Sequence, residues 1–346
     1  MSGLLGLPLR IEGYELERLQ RDVSSGFTRV STVLRLRGGR TDGVGEDVTY
    51  DAEDHDALQR AGAVQPLAGD WTLGSFCDHV EALDLWPEPP RREPSRHYRV
   101  WGYESAALDL ALRQAQLPLH EALGREPQPV RFVMSLRLGE PSSLDPLLRR
   151  LERYPGLRFK LDPVADWDDA LVARLAETGA VDSVDLKGLY EGSVVDNPAD
   201  PALYRRVAEG FPDAWIEDPK ITDETWPVLE PHAARISWDA NIHGVGDITG
   251  LPFKPTMVNI KPSRLGGLRP LLAAYEHCER EGIGMYGGGQ FELGPGRGQI
   301  QYLASLFHAD GPNDVAPGGY DAPDPEPGLP TSPLPVAAEP FGFRWG

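Results

Sequence analysis

From about residue 128 onward, short apolar runs alternate with amphipathic stretches, and this alternation restricts the fold more than any other feature of the chain. The runs lie at 130–135, 157–161, 181–186, 214–217, 235–239, 257–261, 282–286 and 313–316, eight in all. Between them, leucines recur at helical spacing, as in Leu144, Leu147, Leu148 and Leu151, or Leu268, Leu271, Leu272 and Tyr275. Asp200-Pro201 reads as an N-cap followed by proline at the first helical position. Strand and helix in strict alternation predict a (β/α)8 TIM-type barrel over 126–317. One unit is modified, because 244–255 shows no clear helix. A doubly wound open sheet is the rival, but no GxGxxG follows the first strand. Residues 1–125 read differently. The β-branched run 27–37 and the segment 45–50 suggest a hairpin, and helices are expected at 53–63, 73–83 and around Leu108, Ala111, Leu112 and Ala115, an α+β unit. The tail 318–346 is rich in proline and glycine but ends Phe-Gly-Phe-Arg-Trp-Gly, so it is expected to pack back on the N-terminal unit.

A formal charge of −19 argues against a nucleic-acid binder and equally against docking on an anionic membrane surface. Cys77 and Cys278 form neither a disulfide framework nor a zinc cluster. No run of 18 apolar residues exists and the start has no secretory pattern, so the expected location is the cytoplasm. Only five of the 34 basic residues are lysines: Lys160, Lys187, Lys220, Lys254 and Lys261. A lysine kept against such an arginine bias can serve where a titratable amine is needed, which a guanidinium does not supply.

Active sites of such barrels lie at the C-terminal ends of the strands. The second to sixth strands end in Lys160, Asp185, Glu217, Asp239 and Lys261, each about one βα unit from the next. Individually, each acid reads as a solvated strand-end carboxylate. Jointly, three carboxylates on neighbouring strands need neutralising, and oxygen donors at that density suit a hard divalent cation such as Mg²⁺. Such an ion stabilises the dianion formed when a substrate carboxylate loses its α-proton, and the flanking lysines can remove or deliver that proton.

The segments Arg158-Phe-Lys160, Trp215-Ile-Glu217-Asp-Pro, Ser237-Trp-Asp239 and Asn259-Ile-Lys261-Pro-Ser-Arg-Leu-Gly-Gly resemble the enolase superfamily, specifically its mandelate racemase/muconate lactonizing enzyme group. Gly43-Val-Gly-Glu46 resembles that family's N-terminal capping domain. The resemblance implies Mg²⁺ on Asp185, Glu217 and Asp239, with Lys160 and Lys261 as the acid/base pair. It implies a metal-stabilised enediolate leading to racemisation or epimerisation, dehydration, or cycloisomerisation of a small carboxylate substrate, by an isomerase or lyase. It also implies a capping loop, here 13–27, that closes the site. A scaffold that binds a carboxylate without turnover is the alternative. A homo-oligomer is compatible with either.

Two positions depart from the family pattern. Arg158 stands where a first lysine is usual, expected to lend positive charge to Lys160, and Lys187 stands where asparagine is frequent two residues after the third-strand acid. Asn241, His243, Gln290 and Glu292 are weaker candidates for substrate or supporting contacts. Gly287-Gly288-Gly289 reads as a close-packed turn more readily than as an anion-binding nest.

Overall fold

Valine, threonine and leucine alternating with arginine make residues 28–38 a strand with partners on both sides. The computed structural model describes residues 3–23, 26–190 and 197–346. In it, β1 (Pro8–Ile11) leads into β2 (Gly13–Asp22), β3 (Thr28–Gly38) and β4 (Thr41–Asp47), and the last three form an antiparallel sheet in the order β2-β3-β4. The hairpin expected between the 27–37 run and the 45–50 segment is therefore present, its turn carried by Gly39 at φ +66°. The segment 13–27 is not a loop over most of its length. Residues 13–22 pair with β3 from Gly13↔Arg37 to Asp22↔Thr28, while Ser24 and Ser25 lie outside the described residues.

Helices α1 (Ala52–Ala61) and α2 (Leu73–Ala82) flank the short strand β5 (Gly69–Thr72), which pairs with β1. The long helix α3 (Ser95–Ala115) lies against β4 at backbone distance. A Cβ on Gly43 would stand 2.3 Å from the Ala106 carbonyl oxygen, and one on Gly45 would stand 2.2 Å from that of Gly102. The glycines of the Gly43-x-Gly45 motif are thus what lets helix and strand touch. A fully buried Arg99–Asp47 ion pair at 2.8 Å ties α3 to the end of β4.

After α4 (Leu119–Leu123) come β6 (Met134–Leu136), α5 (Asp145–Arg153), β7 (Phe159–Leu161), α6 (Asp169–Glu177), β8 (Val181–Asp185), α7 (Pro201–Gly210), β9 (Trp215–Glu217), α8 (Trp226–Leu229), β10 (Ile236–Trp238), α9 (Val245–Thr249), β11 (Met257–Ile260), α10 (Pro262–Leu265), α11 (Leu268–Glu281), β12 (Gly284–Gly287) and α12 (Pro295–Phe307). The Asp200 side chain caps α7, accepting from Ala202 N at 2.8 Å and Leu203 N at 3.2 Å. The 244–255 stretch, expected to lack a helix, holds the five-residue α9, which is too short and glycine-bearing to show an apolar stripe.

Among the described residues, seven strands pair in parallel in the order β6 to β12, not eight. The eighth run is reduced to single bridges, Asn313 to Phe132 and Asp314 to Gly288. These join the two edges of the sheet, with Val133 N donating to Asn313 O at 2.8 Å and Asp314 N to Gly287 O at 2.8 Å. The Asn313 side chain completes the seam. Its Oδ1 accepts from Gly287 N at 2.6 Å, and its Nδ2 donates to the carbonyls of Arg131, His308 and Gly311. In the tail, Phe343 N donates to Asp109 on α3 at 2.8 Å, and the Phe343 ring meets Trp101 edge-on. It also touches the approach to β6, through a bridge from Leu334 to Val130.

Candidate active site

Parallel strands leave their C-terminal ends on one side, and here those ends are polar on apolar shafts. Lys160 on β7, Asp185 closing β8, Glu217 closing β9, Asp239 just after β10 and Lys261 just after β11 are all buried. Register places Asp185 opposite Glu217, and Glu217 opposite Ser237, two residues before Asp239. β7 and β11 flank the three acid-bearing strands, so the two lysines stand on either side of the acids.

Every acid in the group has a cation. Lys160 Nζ donates to Glu217 Oε1, lies 3.2 Å from Asp185 Oδ2 and 3.9 Å from Asp314 Oδ2. Tyr286 on β12 donates its hydroxyl to Glu217 Oε2 at 2.6 Å. Lys187 Nζ donates to Asp185 Oδ2. Asp239 accepts from Lys261 Nζ at 2.7 Å on Oδ2 and from Arg264 at 2.5 Å on Oδ1, and the Tyr190 hydroxyl stands 3.4 Å from Oδ2. Burial alone would lower the Lys160 ammonium, but Glu217, Asp185, Asp314 and Asp239 outweigh it and hold it well above the usual lysine range. Lys261 goes the other way. Burial, helped by Arg264 and Lys160, brings it below that range despite Asp239.

Asp218 joins the group unexpectedly. Alternation would send it outward after Glu217, but its backbone turns at φ +48°. Its Oδ1 accepts from Asp239 N and its Oδ2 from Ala240 N, both at 2.8 Å. Burial, with Asp239 and Asp185 nearby, raises its carboxyl to about 7. Asp185, Glu217 and Asp218 each offer a carboxylate oxygen within 4.8 Å of the others. Asp239 is not in that set; Lys261 and Arg264 engage its two oxygens.

The other candidates are scattered. Arg158 is not at the site: it pairs with Asp182 and the Gly179 carbonyl, near the N-terminal end of β8. Asn241 has a buried Oδ1 with no partner among the described residues. His243 is partly exposed, 3.8 Å from Asp247. Gln290 and Glu292 are buried; Gln290 turns to the N-terminal unit, and Glu292 to Gln290 and α12. Gln290 accepts from Tyr50 at 2.6 Å, and Glu292 accepts from Gln290 N at 2.7 Å and lies 3.4 Å from Arg297. The glycine run is close-packed, since a Cβ on Gly288 would stand 2.5 Å from Lys261 Cε. Asp218, Arg264, Tyr286, Tyr190, Asp162 and Asp314 were not among the sequence candidates. Of these, Arg264 carried a readable signal, one helical turn after Lys261.

The chain is 28% identical over 338 residues to N-succinylamino acid racemase of Thermus thermophilus, spanning 89% of this chain and 86% of that protein. It is 27% identical over 227 residues to o-succinylbenzoate synthase of Bacillus subtilis, spanning 62% of this chain and 58% of that one. Muconate cycloisomerase from Pseudomonas fluorescens shares the fold with a TM-score of 0.65 at 19% identity, over 98% of this chain and 95% of that one. A family described as Domain of unknown function (DUF8230) matches with its N-terminal model at 2–122 and its C-terminal model at 126–322. The chain belongs to the DUF8230 family and is a member of the enolase superfamily, in its mandelate racemase/muconate lactonizing enzyme group.

In this superfamily member the converging donors are all carboxylate oxygens, buried and drawn from adjacent strands. That donor chemistry fits a hard divalent cation.

Proposed function

We propose that this protein is an enolase-superfamily isomerase or lyase that removes the proton α to the carboxylate of a small substrate. The observation that carries this reading is the burial of Asp185, Glu217 and Asp239 on consecutive strands, with Lys160 and Lys261 flanking them. Asp185, Glu217 and Asp239 are assigned as the residues that hold Mg²⁺. Asp218 is assigned a positioning role instead, because taking its oxygens away would orphan the buried backbone donor Asp239 N and the part-buried donor Ala240 N. When bound, the cation supplies positive charge that steadies a substrate carboxylate as its α-carbon becomes electron-rich.

Lys160 and Lys261 hold and move the proton at their Nζ atoms from the two flanks of the acid group. Tyr286 and Arg264 keep Glu217 and Asp239 in place. The relatives carry the names racemase, synthase and cycloisomerase, and proton transfer at the α-carbon of a carboxylate is the step proposed here. Small carboxylates of the N-acylamino acid and succinylbenzoate kinds are the first to try.

The test is α-proton exchange in D2O with Mg²⁺ and a panel of such carboxylates, monitored by NMR or mass spectrometry. Exchange is expected with at least one acid, and it is expected to vanish in Lys160→Ala and Lys261→Ala variants that still melt cooperatively. Exchange that survives both substitutions overturns the assignment of the lysines. No exchange with any acid, together with saturable carboxylate binding, favours a scaffold that binds without turnover.

A further inference from the structure

Asp185 bears two ammonium groups where one suffices for charge. Lys160 approaches its Oδ2 from β7, and Lys187 donates to the same oxygen from two residues along the chain. The backbone arranges the second contact. Lys187 adopts φ +53°, in the left-handed region that non-glycine residues rarely occupy, and its own N–H donates to Asp185 Oδ1 at 3.1 Å. The turn therefore folds the lysine back over the acid it succeeds. Its Nζ is also 3.7 Å from Asp162 Oδ1 and 5.4 Å from the centre of the Tyr190 ring. Asp162 lies just after β7, and it also accepts from Arg137 Nε at 3.1 Å. Lys187 thus stands between two acids, one proposed as a metal ligand and one outside that set.

An ammonium and a divalent cation repel each other and compete for the same lone pairs. We propose that Lys187 is a resident counter-ion that a metal ion must displace from Asp185, and that Asp162 is the acid that receives it. This rests on the reading of Asp185 as a metal ligand. The arrangement keeps the buried acids neutralised when no metal is bound, weakens metal binding by the cost of moving the lysine, and links loading of the site to one side chain's swing.

The experiment is Mn²⁺ titration of the full-length protein by calorimetry and electron paramagnetic resonance, in wild type, Lys187→Met, Asp162→Asn and Asp185→Asn. Lys187→Met is expected to bind Mn²⁺ at least tenfold more tightly than wild type. Without metal it is expected to melt lower, and to gain more in Tm from Mn²⁺. Asp162→Asn is expected to bind severalfold more weakly, since the displaced lysine then has no second acid to join. Lys187→Met binding that is unchanged or weaker, or Asp162→Asn binding that is unchanged or tighter, overturns the proposal. If wild type binds and Asp185→Asn does not, that failure leaves the metal reading standing. If neither wild type nor Lys187→Met binds at millimolar Mn²⁺, both fall. Asp162→Asn serves alone if Lys187→Met does not fold.

Discussion

Asp218 Oδ1 accepts a hydrogen bond from the backbone N–H of Asp239 at 2.8 Å, so the residue after one strand's acid fixes the start of the next strand's acid. The second oxygen does the same for Ala240. Asp218→Ala leaves one buried and one part-buried donor unpaired. Each loss costs about 1–3 kcal/mol, offset in part by relief of repulsion from Asp185 and Asp239. The expected net destabilisation is about 2 kcal/mol by urea unfolding. An unchanged midpoint would show that these bonds hold nothing in place.

Tyr286 is the neutral donor to Glu217, opposite Lys160. Tyr286→Phe keeps the ring's packing and removes one bond to a buried carboxylate. Burial, with Asp185, Asp239 and Asp218 nearby, pushes the Glu217 carboxyl well up despite Lys160, so the loss expected in metal-free protein is that of an ordinary hydrogen bond, about 1 kcal/mol. Denaturation curves that superimpose would argue that the phenol is a bystander.

Glu46 links the N-terminal sheet to the loop after β12. Its Oε1 accepts from Ser31 and Leu293 N, and its Oε2 from Gly294 N and Gly296 N, at the N-terminus of α12. Glu46→Ala should therefore raise amide exchange at 293, 294 and 296 by roughly a hundredfold, while β8 and β9 keep their protection. Equal protection at those amides in both proteins would mean the carboxylate is not the anchor.

His308 gives the stability a pH signature. Burial pulls its imidazole down to about 4, against the opposing bond to Asn313 Oδ1. The unfolded chain takes up that proton near the ordinary histidine value while the folded one does not. Its contribution is complete above about pH 6.5 and is lost as pH falls toward 4, a difference of about 2 kcal/mol between pH 6.5 and 5. In His308→Gln that slope is expected to disappear relative to wild type. Parallel pH profiles for the two proteins would refute it.

The barrel's shafts and rims were legible because a strand's alternation and a unit's repeat length are both local. Lys160, Asp185, Glu217, Asp239 and Lys261 emerge from counting units, and all five are buried in one group. Asp218 was not legible, since only its left-handed backbone brings it back from the outward side. Arg158 misled because it shares Lys160's parity, yet it precedes β7, where its long side chain reaches Asp182 instead. The strand at 13–22 was hidden by its charges: most of its side chains are exposed, and pairing with β3 holds it rather than an apolar stripe. Gln290 and Glu292 were weak candidates for substrate contact, and the tyrosines and the arginine that engage them come from other elements that the chain order does not bring near.

Among the described residues, seven staves of this cylinder are laced along their length, and one is held by two isolated rungs and by side-chain bonds through Asn313, Gln301 and Ser135. Asp314 stands on that loosely stitched panel, within 3.9 Å of Lys160. Re-spacing the panel disturbs no continuous lacing, so one substitution near Asn313 can reshape the wall beside Lys160 while leaving the acid-bearing staves untouched.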